Sequence, residues 1–365
     1  MINSKSIKLL FVIILLLPWL YVVDEADSSD YSMTNTADID KKNPIQKSAH
    51  HTEFGFQNHP FIPTAAPKGA TFYLRRFWHS ISLPDVPATH SLSQQLALEQ
   101  WQNTKGSRIT WLGHASFLIQ INGQTILTDP FLSEFASPLS WAGPRRFVEP
   151  GLAFDNLPQI DIIIVSHNHY DHLDDWTVRS LSSKQQIHVF VPLGLKEFFQ
   201  ERGYSQVTEL DWYQQAKLDN LKFTALPAVH DSARSTSDHN QTLWASWLIQ
   251  TLQLKVYFVG DSAYTKSLYT SIGERFGPFD YVFVPIGAYE PRELMWMSHM
   301  TPEEAVSLGR DLKANRLIAS HWGTINLSDE PTWEPPNRFR VAGENQGFNK
   351  DRLWIMKIGE TRELR

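Results

Sequence analysis

The sequence predicts an α/β domain of layered sheets in which strands outnumber helices. Short runs rich in Val, Ile, Phe and Trp alternate with helical stretches beyond about residue 70, and no fixed-period repeat interrupts them. Four of the apolar runs also end abruptly in a His or an Asp. Composition agrees, since 365 residues that are 42% hydrophobic and 20% charged can bury a sizeable core. With 33 basic and 39 acidic residues the formal charge is −6, which speaks against a protein that coats nucleic acid. The lack of cysteine excludes disulfide frameworks, Cys-ligated zinc, iron–sulfur clusters and a thiol nucleophile.

The chain opens with Lys5 and Lys8, continues through an unbroken apolar run from Leu9 to Val23, and then meets Asp24, Glu25 and Asp27. That run lies between a signal-peptide core and a spanning helix in length, so residues 1–23 are expected to be a signal anchor or a signal peptide. Lysines before the run and acids after it place the bulk of the chain outside the cytoplasm, membrane-associated. Residues 24–70 are polar, rich in Ser, Asn, Asp, Thr and Pro and without periodicity, and are expected to form a tether. Residues 71–365 are expected to form the folded catalytic domain.

Within that domain the β-type runs are Arg108–Trp111, Ser116–Ile121, Thr125–Thr128, Ile160–Ser166, His188–Val191 and Phe223–Ala228, followed by Trp244–Gln250, Val256–Val259, Tyr281–Pro285, Arg316–Ser320 and Leu353–Ile358. Asn122-Gly123 joins two of them by a hairpin turn, since both residues tolerate positive φ. Helices are expected at Trp176–Leu181, Leu195–Arg202, Leu268–Phe276 and Pro302–Leu312. The last has Thr301 as N-cap, Pro302 at its first position and Glu303 and Glu304 in its first turn. The aromatic group Phe72, Tyr73, Phe77 and Trp78, with Arg75 and Arg76, is read as ordinary packing rather than a membrane-interface patch.

Chemistry concentrates where the apolar runs stop. His167, His169, Asp171 and His172 follow the run Ile160–Ser166, and His230, Asp261 and His321 each follow a further run. Strand ends are rigid enough to fix a metal, and α/β folds place their sites outside the carboxyl ends of strands. Five imidazoles and two carboxylates exceed what a single catalytic zinc takes, so two ions are expected. Nitrogen-rich ligation without sulfur suits Zn²⁺, with Fe or Mn as alternatives. In such a pair the bridging water loses a proton at neutral pH and becomes the nucleophile. No Gly-x-Ser-x-Gly, nucleotide-binding loop, dinucleotide fingerprint or His-Glu-x-x-His competes with this reading. His114 also follows a strand, with packing and function equally open.

The pattern His167-x-His169-x-Asp171-His172, with His230, Asp261 and His321 beyond it, resembles the metallo-β-lactamase superfamily and its αβ/βα sandwich of two mixed sheets flanked by helices. Thr110-Trp111-Leu112-Gly113-His114, Leu127-Thr128-Asp129-Pro130, Gly143-Pro144-Arg145-Arg146-Phe147, Pro285-Ile286-Gly287-Ala288-Tyr289-Glu290-Pro291-Arg292 and His321-Trp322-Gly323-Thr324 narrow the likeness. They resemble the N-acylphosphatidylethanolamine-hydrolysing phospholipase D family.

The resemblance implies that His167, His169 and His230 hold one metal, that Asp171, His172 and His321 hold the other, and that Asp261 bridges them. It implies that Asp129 orients a ligand histidine and that Tyr170 and His299 contact substrate. Asp171 and Asp129 thus join Asp261 as the expected catalytic carboxylates. Asp231 stands where the family usually has an aromatic residue, Ser232 to Asn240 is polar, and Ser262 replaces the usual threonine.

The implied activity is a phosphodiesterase of phospholipase D type that acts on a membrane phospholipid and yields N-acylethanolamine and phosphatidic acid. A lactonase-like or other small-ester hydrolase on the same fold is the alternative. Nuclease action and a catalytically silent metal-binding scaffold rank lower. A nucleic-acid partner is not expected, and a homodimer is left open.

Overall fold

The computed structural model describes residues 48–63, 75, 78 and 82–365. The expected membrane-directed segment 1–23 and most of the expected tether lie outside the described residues. Among those residues no helix is long and apolar enough to cross a membrane.

In chain order the elements are α1 (Gln94–Asn103), β1 (Arg108–Gly113), β2 (Ser116–Ile121), β3 (Gln124–Thr128), β4 (Ile162–Ile164), α2 (Asp175–Ser180), β5 (His188–Pro192) and α3 (Lys196–Gln200). Next come β6 (Gln206–Leu210), β7 (Gln215–Leu218), β8 (Leu221–Leu226), β9 (Ser246–Gln250), β10 (Lys255–Phe258), α4 (Lys266–Phe276) and β11 (Phe279–Pro285). The chain finishes with α5 (Arg292–Met295), α6 (Pro302–Asp311), β12 (Ala314–Ser320), α7 (Pro335–Asn345), β13 (Leu353–Trp354) and β14 (Thr361–Glu363).

Two seven-stranded mixed sheets result, ordered β14-β1-β2-β3-β4-β5-β6 and β13-β12-β11-β10-β9-β8-β7. Alternation along the strands explains why the apolar runs are continuous. Ile162 and Ile164 of β4 enter the large core shared with the second sheet, while Ile163 enters a separate core with Ala97 and Trp101 of α1, Val178 of α2 and Phe199 of α3. A strand buried on both faces has no polar side to show. Phe117 of β2 meets Phe283 of β11 at 4.7 Å between ring centroids, and Phe190 of β5 stacks on Phe223 of β8 at 4.2 Å. The Trp247 indole donates to the Val165 carbonyl at 2.8 Å, which ties the second sheet to the exit of β4.

The expected helices appear as α2, α3, α4 and α6. Thr301 caps α6 through a reciprocal capping box with Glu304, which satisfies two otherwise orphaned N–H groups. Three strands and two longer helices escaped the sequence reading. β6, β7 and β14 are polar and partly exposed, so register with a neighbour defines them rather than composition. In α1 only Ala97 and Trp101 are buried, and α7 opens on Pro335-Pro336 and contains Gly343.

Part of the expected tether is folded. Residues 48–63 lie against the domain, with His50 and Asn58 buried, so this stretch is an arm rather than a loose linker. The polar composition that suggests a linker supplies the arm's hydrogen bonds instead. Of the aromatic group at 72–78, Trp78 is 64% exposed rather than packed, and the other aromatics lie outside the described residues.

Candidate metal centre

The backbone directions bring the strand ends together. β3 runs parallel to β4, and β10, β11 and β12 run parallel to one another; β8 joins them through antiparallel β9. The carboxyl ends of β1, β3 and β4 in one sheet and of β8, β10 and β12 in the other therefore share one rim of the sandwich. They deliver His114, Asp129, the segment His167–His172, His230, Asp261 and His321 respectively.

Tight turns turn these residues inward. His114, Asp129 and His321 have φ of 54°, 33° and 58°, left-handed values that non-glycine residues adopt reluctantly and that gather at functional sites. Gly260, immediately before Asp261, has φ of 67°, and a Cβ there would lie 2.4 Å from the Ser166 Cβ. Only glycine lets the β10 and β4 exits approach so closely.

Two ligand groups form, and Asp261 lies between them. In one, His167 Nε2 is 2.9 Å from His169 Nδ1, which is 3.3 Å from His230 Nε2. In the other, Asp171, His172 and His321 gather with His114, whose Nε2 is 2.9 Å from Asp171 Oδ2. Asp261 Oδ2 is 3.2 Å from His172 Nε2, 3.0 Å from His321 Nε2 and 3.8 Å from His230 Nε2. All seven expected ligands thus come together, and His114 joins as an eighth group. Its signal in the sequence was the same strand-end position that marked the others, but without a neighbouring ligand it also fitted a packing role.

The surrounding hydrogen bonds aim the imidazoles. Asp129 accepts from His172 Nδ1 at 2.6 Å and from the Ser166 N–H and hydroxyl, each at 2.6 Å. His230 Nδ1 donates to the Ser298 carbonyl at 3.0 Å, which leaves Nε2 as the free electron pair facing the centre. Asp231, the departure from the family pattern, accepts from the Ser298 hydroxyl at 2.9 Å, so it braces the same loop.

Electrostatics separate the groups. Burial pushes His114 down to about 3 and His169 down to about 4, which keeps them neutral. Burial pushes His321 down as well, but Asp261 above all, then Asp171, outweighs it and lifts the imidazole to about 9. Burial alone would raise the carboxyls of Asp171 and Asp261, yet the surrounding histidines hold both well below the usual range. His172 Nε2, His321 Nε2 and Asp261 Oδ1 are buried without hydrogen-bond geometry to any partner. Buried polar atoms are rarely left so, and cations held among these residues would satisfy them. The donor set therefore fits a metal.

Tyr170 donates from its hydroxyl to the Arg234 carbonyl at 3.1 Å, with the Arg234 guanidinium 3.9 Å from its ring centre. Arg234 also donates to the carbonyls of Asn168 and Leu173 at 2.7 and 2.6 Å, clamping both sides of the metal-motif loop. His299 Nδ1 lies 3.8 Å from Asp261 Oδ2, at the rim of the centre.

Two packed mixed sheets, flanked by helices and carrying a His/Asp cluster on their shared strand ends, define a metal-dependent hydrolase of the metallo-β-lactamase fold. The beta-lactamase superfamily domain matches residues 124–322. The chain is 38% identical over 277 residues to N-acyl-phosphatidylethanolamine-hydrolyzing phospholipase D 1 of Caenorhabditis elegans, covering 73% of this chain and 78% of that protein. It is 36% identical over 258 residues to the mitochondrial N-acyl-phosphatidylethanolamine-hydrolyzing phospholipase D of Saccharomyces cerevisiae, covering 69% of this chain and 55% of that one. Among solved structures, a metallo hydrolase of the archaeon Ignicoccus hospitalis shares the fold, with a TM-score of 0.52 at 21% identity over 71% of this chain and 99% of its own. The chain belongs to the N-acylphosphatidylethanolamine-hydrolysing phospholipase D family of the metallo-β-lactamase superfamily.

Proposed function

We propose that this protein is a binuclear zinc phosphodiesterase that hydrolyses N-acylphosphatidylethanolamine-like membrane phospholipids on the headgroup side of phosphorus, giving N-acylethanolamine and phosphatidic acid. The position of Asp261 carries the reading: one carboxylate within 3.8 Å of His230 in the first ligand group and within 3.2 Å of His172 and His321 in the second. In this assignment His167, His169 and His230 would hold one ion and Asp171, His172 and His321 the other, with Asp261 available to both. When bound, the ions supply Lewis acidity and lower the pKa of the attacking water. Asp129 holds His172 in one tautomer and orientation, and His114 holds the Asp171 carboxylate. In this reading His299, whose Nδ1 is 3.8 Å from Asp261 Oδ2, and Tyr170, clasped by Arg234, serve as the substrate contacts.

The names of the relatives support the lipid as substrate. Phe54, Phe61 and Trp78, exposed by 81%, 70% and 64%, support membrane association, since apolar rings of this kind enter a bilayer interface. The run Leu9–Val23 supports an anchor or signal that places the catalytic domain in the periplasm or outside the cell.

The test is hydrolysis by the purified full chain of phosphatidylethanolamine, its N-acylated form, a lactone and a phosphodiester dye, with and without chelator. Chelator-sensitive release of the N-acylated headgroup, abolished in Asp261→Asn, is the expected outcome. Turnover of the lactone alone, or wild-type rates in Asp261→Asn, would refute the reading.

A further inference from the structure

Among the described residues, one group of metal-capable side chains lies outside the catalytic rim: His50 and His51 of the N-terminal arm with Asp211 just past β6, their ligand atoms all within 4.8 Å of one another. His50 Nε2 is 2.6 Å from Asp211 Oδ1, and His51 Nε2 is 2.8 Å from Asp211 Oδ2. The two imidazoles, adjacent in sequence, reach one carboxylate because the arm turns there. The His51 N–H donates to the Ser48 carbonyl at 2.8 Å and the Gln57 N–H to the His50 carbonyl at 2.9 Å. Their rings are 4.5 Å apart at 68°, so both Nε2 atoms face the carboxylate from different directions. His50 is further fixed by stacking on Trp212 at 4.1 Å, and Asp211 by the Trp212 N–H at 2.7 Å.

We propose that His50, His51 and Asp211 form a further metal position, separate from the catalytic rim and suited to zinc, that clasps the N-terminal arm to the hydrolase domain. Two imidazoles and one carboxylate make a three-ligand set without sulfur, the chemistry that zinc accepts with water in its fourth place. The His51 side chain is 26% exposed, which gives an entering ion and that water access. Tetrahedral ligation spreads nitrogen and oxygen to roughly 3.3 Å, so an ion requires the Asp211 carboxylate to withdraw from His50 by a few tenths of an ångström while the partly exposed His51 rotates.

The consequence reaches the catalytic centre. The same arm carries Asn58, whose buried side-chain oxygen accepts from the His230 N–H and from the Trp244 indole, each at 3.1 Å. Between these points the Phe56 N–H donates to the Asn240 carbonyl at 2.8 Å. An ion at the clasp therefore fixes a strap whose far end supports the loop of a catalytic ligand.

The experiment uses the full chain, stripped by chelator and reloaded with Zn²⁺, with zinc counted by elemental analysis after gel filtration. Wild type is expected to hold one zinc more per chain than His51→Gln or Asp211→Asn, whatever number the catalytic centre takes. That difference is independent of the lipid-hydrolase reading. In limited proteolysis, zinc is expected to slow cleavage between residues 48 and 63 about tenfold in wild type and not in His51→Gln. Should Asp211→Asn fail to fold, the partly exposed His51→Gln decides alone. Equal zinc content in wild type and His51→Gln, with zinc-independent cleavage of the arm, would show a plain hydrogen-bonded clasp and overturn the proposal.

Discussion

Asp129 shows how much a single side chain can set. Its two oxygens accept from His172 and twice from Ser166, so it fixes the ring of one ligand and the backbone from which His167 departs. Burial raises its carboxyl above the ordinary value, and His172 and Ser166 oppose that only in part. Asp129→Ala is expected to weaken zinc binding about 10- to 100-fold while leaving every direct ligand in place, measured by competition with a chromogenic chelator. Gly260 is the backbone counterpart. Gly260→Ala combines a left-handed φ with a 2.4 Å contact to Ser166, and an unfolding midpoint in urea equal to that of wild type would contradict the close approach of β10 and β4.

Elements dock through charge as well as burial. Arg338 on α7 pairs bidentately with Glu303 on α6, at 3.0 and 2.8 Å, and also reaches Glu334. Burial would raise the Glu303 carboxyl, but the hydrogen bonds from Arg338 hold it below its ordinary value. A depressed acid stabilises the fold above the unfolded pKa and loses that contribution as pH falls through the folded one. Glu303→Gln is thus expected to cost under about 1 kcal/mol at pH 7, a small figure because the pair is partly exposed. The gap to wild type should begin to narrow below about pH 4.3 and vanish once the pH is under the lower folded value, which thermal melts at several pH values read directly. The same scale explains which elements were legible. Buried strands such as β4 and β12 announce themselves as apolar runs, and α6 by its capping box. Edge strands β6 and β7 and the thinly buried α1 carry no such pattern.

At the scale of the whole molecule the arm and the sandwich act together. Asn58→Ala leaves the buried His230 N–H without its acceptor, whereas the Trp244 indole keeps the Ala228 carbonyl at 3.0 Å. An orphaned buried donor costs about 1–3 kcal/mol, so Asn58→Ala should unfold at measurably lower denaturant although it lies far in sequence from β8, whose exit carries His230. Removal of bound metal with chelator is expected to lower the melting temperature of wild type, because an ion held only by the folded state stabilises it by mass action. An unchanged melt in chelator would deny any such ion. The departures at Asp231 and Ser232 to Asn240 also find their place here. Asp231 braces the His230 loop through Ser298, and Arg234 clamps the loop carrying His167 to His172.

By itself the sequence determined the layered α/β class, the seven residues of the His/Asp cluster and the family, because burial on both faces of a strand and polar groups at its end are local patterns written in consecutive residues. Only the tertiary structure decided that His114 joins the cluster, that Arg234 and Asp231 buttress it, and that residues 48–63 are a strap rather than a linker. Each of those depends on contacts between residues far apart in the chain, and a polar segment has the same composition whether its hydrogen bonds go to water or to a distant strand end.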